Sequence, residues 1–176
     1  MRKTPNEALP RVSVAEFKNL SKHPVVLVLD NLRSMHNVGA AFRTADAFAI
    51  EKIYLCGITA QPPHREIHKA ALGATESVAW QYHENTAGLL AQLAEEGWLA
   101  VAIEQAEGSI MLQAFPFKAG QKYALVFGNE VSGVSEEVMG QVQTALEIPQ
   151  FGTKHSLNVS VSIGVVLWEY CRQVVL

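Results

Sequence analysis

Six strand-length runs recur along this chain, at residues 25–29, 52–56, 78–82, 98–103, 123–127 and 144–148. Three of them, 25–29, 98–103 and 123–127, are apolar throughout, as in strands buried on both faces. Between them lie segments with helical spacing, at 37–48, 66–72 and 86–96, the last with Leu89, Leu90 and Leu93 on one side. Strands that alternate with helices predict an α/β domain with a mostly parallel sheet flanked by helices. A parallel pair needs a crossover, and the crossover helix covers a sheet face. An apolar stretch at 159–175 is long enough for a closing helix. General rules of connection predict an unknotted, doubly wound sheet.

At 176 residues the chain fits one domain with a substantial core. Residues 25–176 form that domain, and residues 1–24 read as a basic extension. Within the extension Ser13 and Glu16 have the spacing of a capping box for a short helix from 13 to 20. No run reaches the length of a membrane span, and the N-terminal residues lack the apolar centre of a signal peptide. Cys56 and Cys171 are isolated and read as buried apolar residues in a reducing compartment, so a cytoplasmic protein is expected.

Three loops concentrate the residues that permit sharp turns and close approach to a ligand. The first spans Asn31 to His36. The second is Gly128-Asn129-Glu130-Val131-Ser132-Gly133-Val134-Ser135, directly after an apolar run. The third, Ile148-Pro149-Gln150-Phe151-Gly152, continues to Ser156-Leu157-Asn158-Val159-Ser160 and the closing helix. The second and third, at the ends of strands taken as neighbours, predict a small-molecule pocket near residues 128–158.

These loops also carry a resemblance. Asn37, Gly39 and Arg43-Thr44-Ala45 are similar to motif 1 of the SpoU (TrmH-like) RNA ribose methyltransferases of the SPOUT superfamily. The block from Gly128 to Ser135 resembles their motif 2, and Ile148-Pro149 with Ser156-Leu157-Asn158-Val159-Ser160 resembles motif 3. All three stand in family order and cover residues 25–172. Two departures are Val131, where the family often has Gly, and Ser162, where Ala is usual.

The resemblance implies an α/β-knot, with the C-terminal segment threaded through a loop as a deep trefoil knot. It implies methyl transfer from S-adenosylmethionine to a ribose 2′-hydroxyl of structured RNA, tRNA or rRNA, by a homodimer. A non-catalytic knotted RNA-binding protein is the alternative. A nicotinamide oxidoreductase is disfavoured, because no glycine fingerprint follows residues 25–29.

The resemblance places the cofactor against the main chain around Leu125, Phe127, Gly128, Asn129, Gly133, Ile148 and Leu157, with Gly128 leaving space that a side chain would fill. It assigns chemistry to Arg43, Asn37, Glu130, Ser156 and Asn158. Arg43 suits a phosphate clamp better than a general base, because guanidinium holds its proton tightly. Asn37 is expected to bond Arg43 or RNA, or to cap its helix. Glu130 is expected to fix Arg43 or Asn158, to attract the sulfonium, or to be a solvated loop acid. Ser156 and Asn158 can face the substrate or cap the closing helix.

Net charge is −3, unusual for an RNA-binding chain. The charge is uneven, however. Residues 1–24 hold five Lys or Arg against two Glu, and Arg33, Arg43, Arg65, Lys69 and Lys154 fall in or beside the loops. Phosphate binding follows local charge. Several other signals do not point to chemistry. His64 and His68 lack the acid placement of His-Glu-x-x-His, so no metal is expected. Gly128 to Gly133 is not a Walker loop, and Ser156 lacks a nucleophile elbow. The segment from Gly73 to Ser77 reads as a turn before a strand.

Overall fold

Strand β1 (His23–Asp30) sets the architecture, because its side chains are buried on both faces. Val25, Leu27 and Leu29 enter one hydrophobic cluster, while Val26 and Val28 enter another on the opposite face. Only a central strand between two helical layers meets that demand. The computed structural model describes residues 1–5 and 8–176, so residues 6 and 7 of the extension lie outside it.

The described residues form a seven-stranded sheet in which every pairing is parallel. Its other strands are β2 (Ile50–Cys56), β3 (Ala79–His83), β4 (Leu99–Ile103), β5 (Ile110–Met111), β6 (Tyr123–Phe127) and β7 (Thr144–Glu147). The order is β3-β2-β1-β6-β4-β7-β5. Two points differ from the sequence expectation. The two-residue β5 was not foreseen, being too short to show a period. Strands β6 and β7 are also not neighbours, because β4 lies between them.

Helix α2 (Met35–Ala47), helix α3 (Arg65–Ala71) and the closing helix α7 (Val159–Val174) cover one face. Helix α5 (Thr86–Glu95) covers the other with Leu89, Leu90 and Leu93, joined by Val138 of α6 (Glu136–Met139). The segment expected as a turn at Gly73 to Ser77 contains a one-turn helix, α4 (Ala74–Ser77). Helix α1 (Val14–Asn19) has the expected capping box. Ser13 Oγ accepts from Glu16 N at 3.2 Å, and Glu16 Oε2 accepts from Ser13 N at 2.7 Å. Phe17, only 7% exposed, docks this helix on the core.

Helix α7 is held at its far end by edge-to-face aromatic contacts of Tyr170 with Phe117, Tyr123 and His23. Gln173 adds hydrogen bonds to the main chain of Phe117 and Phe115. Its inner face is Ile163, Val166, Leu167 and Tyr170. Its outer face leaves Val161 and Trp168 about half exposed, at 50% and 54%.

Helices α2 and α3 approach closely at Gly39. A Cβ there would lie 2.4 Å from the Ile67 carbonyl oxygen and 2.7 Å from Ala70 Cβ. Alanine normally gains about 1 kcal/mol over glycine inside a helix. Here the obstacle is backbone rather than a flexible side chain, and overpacking of that kind costs about 1–3 kcal/mol. Gly39→Ala is therefore expected to lower the denaturant midpoint, and an unchanged or raised midpoint would show that α3 yields freely.

Candidate active site

The carboxyl ends of β6, β4 and β7 open into a cleft of about 470 Å³. Its walls come from Phe127 and the 128–133 loop, from Glu104 and Gln105 after β4, and from residues 146–148, 150 and 155–159 around the third loop. An open parallel sheet binds ligands at this edge, where loops diverge from strand ends.

The second loop is a tight reversal. Asn129 and Gly133 exchange main-chain hydrogen bonds of 2.9 Å in both directions. Asn129 Oδ1 accepts from the amides of Val131 and Ser132, and Gly133 supplies the positive φ of +70°. This is how the turn forms with Val131 in place of a glycine: the Asn129 side chain and Gly133 do the folding back. The same geometry gives glycine at 128 a structural reason as well: a Cβ there would lie 2.1 Å from Gly133 C and Val134 N, so it would strike the returning loop.

Glu130 joins the loops. Its carboxylate accepts from Arg33 N at 2.9 Å, Ser34 N at 3.0 Å and Asn37 Nδ2 at 2.9 Å. Asn37 Oδ1 then accepts from Asn158 Nδ2 at 3.2 Å. One continuous chain, Glu130–Asn37–Asn158, thus links all three loops. Asn158 also caps α7, its Oδ1 accepting from Ser160 N at 2.9 Å, so capping and bridging coexist in one residue. Two expectations change here. Asn37 is not the helix cap, because α2 begins at Met35 with Ser34 as its cap. Arg43 is not a partner of Glu130 or Asn37. It lies exposed on α2, outside the cleft, and makes no ion pair among the described residues.

The remaining assignments are placed as follows. Phe127, Gly128, Asn129, Gly133, Ile148, Ser156, Leu157 and Asn158 line the cleft with Glu130. Leu125 does not; it sits fully buried in the middle of β6, paired with Leu27 and Val101. Ser156 is exposed on the cleft wall.

Two carboxylates escaped the sequence reading. Glu104 Oε2 accepts from Val134 N at 3.0 Å and lies against Gly133, bracing the second loop from β4. Asp30, buried at the end of β1, accepts from Thr86 Oγ1 at 2.6 Å and from Ser135 N at 3.1 Å. Each ends an apolar run with an acid. That is a usable signal, because a strand-terminal acid in an open α/β sheet faces the loops. Gln105 Nε2 donates to the His155 carbonyl at 2.9 Å, tying the third loop to β4.

An all-parallel sheet with flanking helices and a cleft built by three interlocked Asn/Gly/Ser loops defines an α/β enzyme-type domain of the SpoU kind. The chain belongs to the SpoU rRNA Methylase family, whose sequence profile matches residues 24–168. It is 36% identical over 161 residues to the 23S rRNA (guanosine-2′-O-)-methyltransferase RlmB of Neisseria meningitidis serogroup B. The match takes in 91% of this chain and 63% of the relative, so the chain spans less than two thirds of that protein's length. Its structure is similar to that of the A. aeolicus TrmH/SpoU tRNA modifying enzyme, with a TM-score of 0.80 and 26% identity over 91% of this chain and 81% of the other. It is also similar to the AdoMet-bound rRNA methyltransferase from Sinorhizobium meliloti, with a TM-score of 0.79 and 29% identity over 89% of this chain and 59% of the other.

Burial would raise the Glu130 carboxyl, but the hydrogen bonds from Arg33, Asn37, its own amide and Ser34 outweigh it and hold the group below its ordinary value of 4.5. An unfolded chain therefore binds this proton more readily than the folded one. The tether contributes its full share above about pH 4.5 and loses it as pH falls through the lowered folded value. In denaturant titrations, wild type is expected to exceed Glu130→Gln in stability at neutral pH, with the gap closing on acidification. A gap independent of pH would assign the effect to something other than the ionised carboxylate.

Proposed function

We propose that this domain is an S-adenosylmethionine-dependent RNA methyltransferase acting on a ribose 2′-hydroxyl of tRNA or rRNA. The observation that carries the proposal is the Glu130–Asn37–Asn158 link, which locks the three family loops around one cleft. The named activities of the similar proteins point the same way. The cleft also suits the methyl donor. Phe127, Leu146, Ile148 and Leu157 offer apolar walls. Among the described residues, the amides of 150–157 donate to no other group of the chain, leaving main-chain donors for a nucleoside. Bound there, S-adenosylmethionine supplies a methyl group activated by a positively charged sulfur.

The rest falls to the chain. Methyl transfer to an oxygen demands that the hydroxyl be held in line, and orientation supplies much of the rate. Arg43 is the group to clamp an adjacent phosphate and polarise the 2′-hydroxyl, since a guanidinium is a poor base near neutrality. Its place outside its own cleft favours service to another subunit. The outer face of α7 presents Val161, Val165 and Trp168 as an apolar stripe, and α7 packs beside α2. We read this stripe as the contact of a symmetric homodimer in which each Arg43 serves the partner's cleft. The same reading includes the C-terminal trefoil knot. Its support is the fold shared with the TrmH/SpoU structure.

Arg43→Ala is expected to reduce methyl transfer at least about a hundredfold while leaving S-adenosylmethionine affinity within a few-fold by calorimetry. Parallel loss of both would place Arg43 on the cofactor. Mixing Arg43→Ala with an Asn158→Ala variant should restore about one quarter of wild-type activity after subunit exchange, since one site in each mixed dimer is whole. No recovery would mean that each subunit uses its own arginine. Sedimentation equilibrium should give a dimer at micromolar concentration, dissociated by Trp168→Glu; a fully active monomer would overturn the assembly.

A further inference from the structure

A second hollow, of about 570 Å³, lies between α3, α4 and the edge strand β3, away from the reaction cleft. Its composition is unusual for a mere packing gap. Trp80, only partly buried, and the buried Ile67 give an aromatic and apolar floor, with Pro62 and Pro63 at one side. Arg65 and His68 are exposed on the rim, and neither side chain makes a hydrogen bond or ion pair within the chain among the described residues. His64 is held in one orientation, because its Nδ1 accepts from Glu66 N at 3.2 Å. That leaves Nε2 as the nitrogen carrying a proton to donate. Glu76 stands on the rim as an acceptor.

We propose that this groove binds one nucleotide of the RNA substrate outside the reaction cleft, with the base on Trp80 and the phosphate facing Arg65, His64 and His68. The proposal rests on the RNA-methyltransferase reading for the identity of its ligand. The chemistry on the page supports each part. An indole face accepts any base by stacking, which contributes strongly to single-strand binding. Arg65 offers a planar donor fork for phosphate oxygens, and His64 adds a donor fixed in direction. Glu76 can accept from ribose hydroxyls or an exocyclic amine. Among the lining residues Arg65 and Glu76 offset one another in formal charge, so the groove would hold a phosphate by directed donors rather than by a net positive field.

Position favours the same RNA chain that reaches the cleft. Three strand spacings separate β3 from β6, roughly 15 Å along the sheet. A nucleotide held there would fix the approach of the RNA and take no part in methyl transfer. These residues are positioning groups.

The test reads the indole N–H signals of Trp80, Trp98 and Trp168 in ¹⁵N-labelled full-length protein. Each is assigned by a Trp→Phe variant, and the cleft is filled with S-adenosylhomocysteine. Uridine 5′-monophosphate is the probe, because it lacks the adenine that the cleft would take. A saturable shift of Trp80, with Trp98 unmoved and the shift lost in Arg65→Glu, is expected. No saturable movement of Trp80, or a shift that survives Arg65→Glu, overturns the proposal. Inorganic phosphate binding as tightly as the nucleotide also overturns it, since that describes a plain anion site.

In turnover assays, Arg65→Glu should raise KM for RNA about tenfold or more, with kcat and cofactor affinity unchanged. The titration needs no turnover, so failure of the methyl-transfer reading leaves it intact. An unmoved KM in a chain that does turn over sinks the groove alone.

Discussion

The carboxylate of Glu130 accepts hydrogen bonds from three groups of the 33–37 segment, almost a hundred residues away in sequence. Two of them are the amides of Arg33 and of the cap residue Ser34, which lie just ahead of α2 and have no partner in the helix. Through Asn37 the link reaches Asn158 and so the start of α7. The ends of the two helices that flank the cleft are therefore fixed by one short polar chain. Each hydrogen bond is modest by itself, but a chain of them fixes the geometry of the three loops.

The sheet provides the frame on which that chain is stretched. Strands β1 and β6 bury both faces, and their register brings Leu29 alongside Phe127. The loops leaving Asp30 and Phe127 thus emerge side by side. Asp30 then anchors the end of the second loop through Ser135, while Glu104 supports it from β4. Two carboxylates and one asparagine, Asn129, hold a loop that its glycines alone would leave loose. The glycines serve the turn: Gly133 adopts positive φ, and Gly128 lets the returning chain pass close by.

Mixed use of the same residue runs through the site. Asn158 caps a helix and bridges to Asn37, and His64 caps α3 while lining a groove. Fold and function were not alternatives at these positions, because a side chain with a donor and an acceptor end can satisfy both. Arg43 is the contrary case. It bears a motif residue's identity, yet it stands apart from the cleft of its own chain.

Local pattern was enough to read six of the seven strands, the longer helices and the parallel sense of the sheet, but not β5, α4 or α6, which are too short to show a period. Alternation of buried runs with amphipathic segments is a property of neighbouring residues, and so is the Ser13–Glu16 capping box. The glycine- and asparagine-rich loops were legible for the same reason, and their family order pointed to the cleft. Strand order was not legible. Nothing local says that β4 sits between β6 and β7, and that placement brings Glu104 and Gln105 into the site. Nor could spacing show that Glu130 would meet Arg33, Ser34 and Asn37 rather than Arg43, or that Leu125 would stay sealed in β6. Those outcomes depend on which strand ends come together, and that is decided by crossovers packing a whole core, not by the residues beside them.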